Sequence, residues 1–198
     1  MTRARVLRYA VLAALLALPV AGQAADDRGL EFQVGGGVVS FPNDVQVNNG
    51  GAYGALIGIE PWSGLGLELG YQGAVYGEEP LTRNVDVDVT QNVDAVENGG
   101  YAALKVSPFI AGFFEPYALG GVGVSHLNVT GAQAQGALQD DTFGKAPVGA
   151  GFDIHLGDFT IGARGTYNFI FNNQNAFQGD NPNDDDQLIG QANIGAQF

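Results

Sequence analysis

Nucleophilic catalysis in a chain without cysteine needs a hydroxyl, an imidazole to take its proton, and usually a carboxylate to orient the ring. The 198 residues hold two histidines, His126 and His155, and their serines are Ser40, Ser63, Ser107 and Ser125. Ser125 and His126 are neighbours in an alternating stretch, where successive side chains point to opposite faces. The hydroxyl and the ring therefore do not meet, no catalytic residue is assigned, and an enzyme is not expected. Zero cysteines also exclude a disulfide framework and a thiolate zinc site. Hard-oxygen ligands are present: Asp180 with Asp184, Asp185 and Asp186, and Asp86 with Asp88. They do not follow the EF-hand spacing, and acidic loop runs ordinarily stay solvated. The expectation is weak contact with divalent cations, with no specific metal site and no cofactor.

Four other charges carry a sharper signal. Glu68, Lys105, Asp153 and Arg164 fall at alternating positions in four different segments, each a few residues in from a compact link. Two acids and two bases at similar depth can neutralise one another if their segments surround a common space. Whether they do so depends on the elements that carry them.

The composition narrows those elements. The chain is 45% apolar and 15% charged, with 31 glycines and a net charge of −13. So much apolar content does not suit disorder, and a pI near 4.2 argues against nucleic acid as a partner. Arg3, Arg5 and Arg8 precede the apolar run VLAALLALPV at 11–20, and Gly22-Gln23-Ala24 supplies small residues at the exit. That is the pattern of a secretory signal peptide, 1–24, and the run is too short to cross a bilayer as a helix. Its removal leaves five basic against 21 acidic side chains, a net charge near −16.

Beyond the signal the period is two, not 3.6. Alternating segments lie at 30–41, 52–59, 65–75, 101–106, 117–127, 146–156, 159–171 and 188–198. The third is the clearest, with Leu65, Leu67, Leu69 and Tyr71 on one face against Gly66, Glu68, Gly70 and Gln72. Compact links at 60–64, 107–115 and 157–158 alternate with long polar ones at 42–51, 77–100, 128–141 and 172–186. Short turns at one rim and long loops at the other are the mark of an all-β, eight-stranded antiparallel up-and-down transmembrane β-barrel over 25–198. In lipid the apolar face turns outward, and closure pairs every strand edge. A lumen of side-chain width then accounts for the many glycines of the inner face. Aromatics are expected in two girdles: Trp62, Phe109, Phe113, Phe114, Tyr117, Phe159 and Phe198 at the short-turn rim, and Phe41, Tyr53, Tyr76, Tyr101, Tyr167 and Phe169 at the loop rim. The alternation in 83–89 suggests that the third and fourth strands continue beyond the membrane as a hairpin.

On YALGGVGVSHL at 117–127, IGARGTYNF at 161–169 and the terminal Phe198, the chain resembles the OmpA-like family of small eight-stranded outer-membrane barrels over 26–198. The resemblance implies a bacterial outer-membrane location and an interior ion-pair network, with Glu68, Lys105, Asp153 and Arg164 as its counterparts. It also implies that Phe198, with Ile194 and Ala196 before it, is read by the outer-membrane assembly machinery. No peptidoglycan-binding domain is expected after the barrel. Some such barrels modify lipid A, but the deacylase spacing of His and Ser on one strand is missing here. The expected function is therefore a non-enzymatic envelope or surface-interaction protein with a side-chain-plugged lumen. Its partners would be outer-membrane lipid, lipopolysaccharide and a surface ligand held by the loops, and it would act as a monomer. The alternatives are a small-solute porin or hydrophobic-ligand conduit, and, less favoured, a lipid A-modifying enzyme.

Overall fold

The computed structural model describes residues 29–42, 49–78, 93–108, 113–130, 140–172 and 186–198. Eight strands follow in order: β1 (Leu30–Ser40), β2 (Gly50–Trp62), β3 (Leu65–Glu78), β4 (Val93–Val106), β5 (Phe114–Thr130), β6 (Asp141–Leu156), β7 (Phe159–Phe171) and β8 (Gln187–Gln197). Each pairs antiparallel with its sequence neighbour, and β8 returns to β1 from Glu31↔Gln197 to Ser40↔Leu188. The sheet is a closed barrel. At the seam, Leu30 N–H donates to the Phe198 carbonyl at 3.0 Å and Phe198 N–H to the Leu30 carbonyl at 2.9 Å. Closure leaves no ladder without a partner, as lipid demands.

Two of the compact links are two-residue turns. Gly64 and Gly157 have φ of +76° and +67°, a conformation that an L side chain rarely adopts. The strands outrun the alternating segments where both faces carry similar residues. β4 begins at Val93 instead of Tyr101, because Ala95 and Glu97 inside face Val96 and Asn98 outside with little contrast in polarity. β3 and β4 stay paired out to Glu78↔Val93; the hairpin expected at 83–89 lies outside the described residues. β2, β5 and β6 run through Pro61, Pro116 and Pro147, residues that ordinarily interrupt a strand reading. At Pro61 the register slips between Ile59 and Trp62.

The exterior is apolar. Leu67, Leu69, Leu104, Val122, Val124, Ile161, Leu188 and Ile194 are all exposed on the outer face. Toward the loop rim Tyr53 donates to Asn98 Oδ1 at 2.7 Å, Tyr71 donates to the same oxygen, and His126 shares a 2.9 Å hydrogen bond with Thr142. Amphipathic rings of this kind suit the level at which hydrocarbon gives way to headgroups. Trp62, Phe113, Phe159 and the terminal Phe198 crowd the opposite rim.

The girdle assignment needs correction at four aromatics. Phe41, Tyr76, Tyr101 and Tyr117 point into the barrel instead of the lipid; Phe109 lies outside the described residues. Phe41, Tyr76 and Tyr117 are buried, and the Tyr101 hydroxyl accepts from Arg164. The rings of Tyr101 and Tyr117 fit because each lies across a glycine paired with it on the next strand, Gly70 and Gly151. A Cβ on Gly70 would sit inside the Tyr101 ring, and one on Gly151 would meet the Tyr117 hydroxyl at 2.6 Å. Aromatic cover over strand glycines both fills the lumen and fixes the register.

Candidate functional site

Inner-face parity decides which charges meet. β3 turns Glu68 and Gln72 inward, β4 turns Glu97, Tyr101 and Lys105, β6 turns Lys145 and Asp153, and β7 turns Arg164 and Asn168. The four residues singled out in the sequence are all buried in the lumen, but they do not form one quartet. They divide between two clusters, and a third lies beyond them.

In the first cluster Arg164 grips Glu68 with both ends of its guanidinium. Nη1 donates to Glu68 Oε2 at 3.0 Å and Nη2 to Oε1 at 2.9 Å. Two phenols take two further donors: Nη1 to the Tyr101 hydroxyl at 2.9 Å and Nε to the Tyr117 hydroxyl at 3.1 Å. A planar fork meeting a carboxylate this way combines charge with directionality.

In the second cluster a single ammonium serves four carboxylates. Lys105 Nζ lies 3.0 Å from Asp153, 3.0 Å from Glu115, 3.6 Å from Glu60 and 3.8 Å from Glu31. It also stands 4.7 Å from the centre of the Tyr117 ring. Gln33 Nε2 donates to Glu31 at 2.8 Å and to Asp153 at 3.3 Å, and Ser107 donates to Glu115 at 2.7 Å. His155 bridges Glu115 at 2.9 Å and the Thr160 hydroxyl at 3.2 Å. Carboxylate, imidazole and hydroxyl are thus in line, yet Glu115 and Thr160 are wholly buried. A hydroxyl with no exposed surface presents nothing to a substrate.

The third cluster lies toward the loops. Lys145 Nζ pairs with Glu97 at 3.3 Å and donates to Gln72 Oε1 at 3.2 Å. Asn168 donates to the same Gln72 oxygen at 3.2 Å, and Gln187 donates to the other Glu97 oxygen. Among the described residues every lysine and arginine faces the lumen. A cavity lined by Gln33, Gln72, Tyr101, Arg164, Gln191 and Asn193 measures about 10 Å³, the room of a single water.

Sequence reasoning missed Glu60, Glu97, Glu115 and Lys145 for one shared reason. Each fell outside an alternating segment: Glu60, Glu97 and Glu115 in stretches read as links, and Lys145 in the short gap before the sixth segment. Extending the parity of the sixth segment by one residue reaches Lys145, on the same face as Asp153. Glu31 lay on the correct face and simply was not singled out. Of the aspartates considered for cations, only Asp186 is among the described residues. It is buried, its oxygens accepting from the Tyr167 hydroxyl at 2.9 Å and the Ile170 amide at 3.0 Å. Asp86, Asp88, Asp180, Asp184 and Asp185 lie outside the described residues, as does the segment 1–24. Ser125 is buried inside while His126 faces out, as their adjacency requires.

Residues 10–198 match the model of a family described as the outer membrane protein beta-barrel domain. No curated protein matches the chain in sequence. Among solved structures, Neisserial surface protein A is similar at a TM-score of 0.54 with 13% identity, covering 86% of this chain and 97% of that one. The attachment invasion locus protein Ail of Yersinia pestis, crystallised with the heparin analogue sucrose octasulfate, is similar at 0.52 with 16% identity, covering 86% and 99%. At these identities the likeness is one of fold.

Proposed function

We propose that this chain, which belongs to the outer membrane protein β-barrel family, serves envelope structure or surface interaction as a non-enzymatic barrel whose lumen is closed by its own side chains. Its setting is the bacterial outer membrane, in contact with the lipid of that membrane. The observation that carries the reading is the interior: three buried ion clusters occupy it from the short-turn rim upward, and packed apolar side chains fill the loop end. Desolvated ions held by several partners are difficult to displace, because breaking one contact strands a charge in low dielectric. A conduit would need those groups to line an open path.

Among the described residues the enzymatic alternative finds no exposed serine paired with a histidine. Ser125 and His126 occupy opposite faces, and the Glu115–His155–Thr160 chain is sealed inside. Polyanion binding of the kind seen for Ail with sucrose octasulfate finds no described cation on the outer surface here. Recognition is therefore assigned to the long loops, through chemistry other than a basic patch.

Two further assignments complete the reading. Residues 1–24 act as a cleaved export signal, and Phe198 acts as the assembly mark. Its ring is exposed at the rim while its backbone closes the seam to Leu30. Truncation of Phe198 is expected to lower the outer-membrane yield several-fold while leaving total synthesis unchanged. An unaltered membrane fraction in quantitative blots would remove that role.

The lumen itself is tested by liposome swelling with the purified protein and graded sugars. Vesicles as tight as protein-free controls are expected. Entry of small sugars at porin-like rates would replace this reading with the solute conduit.

A further inference from the structure

The polar network stops short of the loop end. There the inner face changes character: Val39, Phe41, Ala52, Ala74, Tyr76, Ala95, Leu127, Phe143, Ile170 and Ile189 form one buried apolar cluster, none more than 7% exposed. All eight strands contribute to it, so it spans the full circumference of the bore. On β3, β4, β6 and β7 the apolar residue lies beyond the polar one toward the loops: Ala74 after Gln72, Ala95 before Glu97, Phe143 before Lys145, Ile170 after Asn168. β8 alone reverses the order, and there Gln187 is wholly buried and tied to Glu97 and Asn168. At the centre Phe143 and Leu127 are at most 1% exposed, and Phe41 packs edge-on against Tyr76 with ring centroids 4.7 Å apart.

We propose that this apolar septum, and not the ion clusters, is the permeability barrier of the barrel. The inference rests on the reading of a non-conducting lumen and assigns the seal to particular residues. The ion clusters resist displacement, but each of their groups can hydrogen-bond water, so any rearrangement among them opens a wettable path. A septum of packed hydrocarbon offers water and ions no hydrogen-bond partner, and narrow apolar constrictions block ions by staying dry. The polar interior on the short-turn side can then loosen and rehydrate without breaching the membrane. The Tyr76 hydroxyl, buried here without a hydrogen-bond partner, is the one polar side-chain atom of these ten residues.

Planar-bilayer recording separates the two kinds of barrier. The wild type is expected to be silent. Glu68→Ala with Arg164→Ala, which hollows the middle of the lumen without stranding a charge, is expected to stay silent. Phe143→Ser with Leu127→Ser, which keeps every ion pair but wets the septum, is expected to give current steps at least about tenfold more frequent. Ala74→Ser with Ala95→Ser, far gentler on packing, should raise activity in the same direction, and circular dichroism reports whether each variant keeps its strands. Currents from the Glu68/Arg164 variant, or silence from both septum variants with strand content intact, would overturn the assignment. Large steady currents from the wild type would instead sink the closed-lumen reading on which it stands.

Discussion

Glu68→Ala is expected to cost the barrel about 3–5 kcal/mol, the range for removing one member of a buried ion pair. Arg164 would keep its two phenol acceptors but lose both carboxylate bonds of 2.9 and 3.0 Å. A guanidinium buried to 5% exposure cannot turn to solvent for compensation, and it does not shed its proton. Glu68→Met combined with Arg164→Met should recover most of the loss, because two apolar groups of similar volume need no partner. The sole tryptophan, Trp62, sits on the outer rim with 65% of its surface exposed. Its fluorescence changes as the barrel leaves a detergent micelle, so denaturant midpoints can be compared across the single and double variants. A loss below about 1 kcal/mol for Glu68→Ala would mean that the pair behaves as a hydrated surface bridge.

How much of this was legible beforehand follows from what alternation can encode. Where one face is greasy and the other is not, as in Leu65, Leu67 and Leu69 against Gly66, Glu68 and Gly70, parity identifies both the strand and its inside. Glu68, Lys105, Asp153 and Arg164 lay in such stretches, and the lumen holds all four. Parity is silent where the two faces match. Glu97 has Val96 and Asn98 beside it, and Lys145 precedes a proline two residues on, so both fell outside the alternating segments. Pairing is less legible still. Which acid reaches Lys105 depends on how eight strands are staggered around the bore, and Asp153 and Glu115 are neighbours only through the β5–β6 register, where they stand directly opposite. The septum was hidden by a reasonable prejudice. Outer-membrane barrels are oily outside and polar within, an expectation that puts Phe41 and Tyr76 in lipid although their parity matches Val39 and Ala74 inside.

Lys105→Met should be at least as damaging as Glu68→Ala, again about 4 kcal/mol or more, because it strands several acids instead of one base. Glu31, Glu60, Glu115 and Asp153 all lie within 3.8 Å of the ammonium. Without it, neutral hydrogen bonds such as those from Gln33 and Ser107 must hold the acids together against their mutual repulsion. The diagnostic is a change of sign. Asp153→Asn alone is expected to destabilise, since it takes a carboxylate from Lys105 and weakens the contact with Gln33. In the Lys105→Met background the same change should stabilise, because one buried negative charge disappears from a cluster that has lost its counter-ion. Glu60→Gln should rescue less, because its carboxylate stands farther from the ammonium, at 3.6 Å, and its side chain is 12% exposed against none for Asp153. Denaturant midpoints for the four members of the Lys105–Asp153 cycle measure that coupling directly. Simple additivity of the two losses would mean that water already neutralises the cluster, and the short-turn end of the lumen would then be wet. A strong coupling of opposite sign would mean that it is dry, and that one lysine holds the four acids in place.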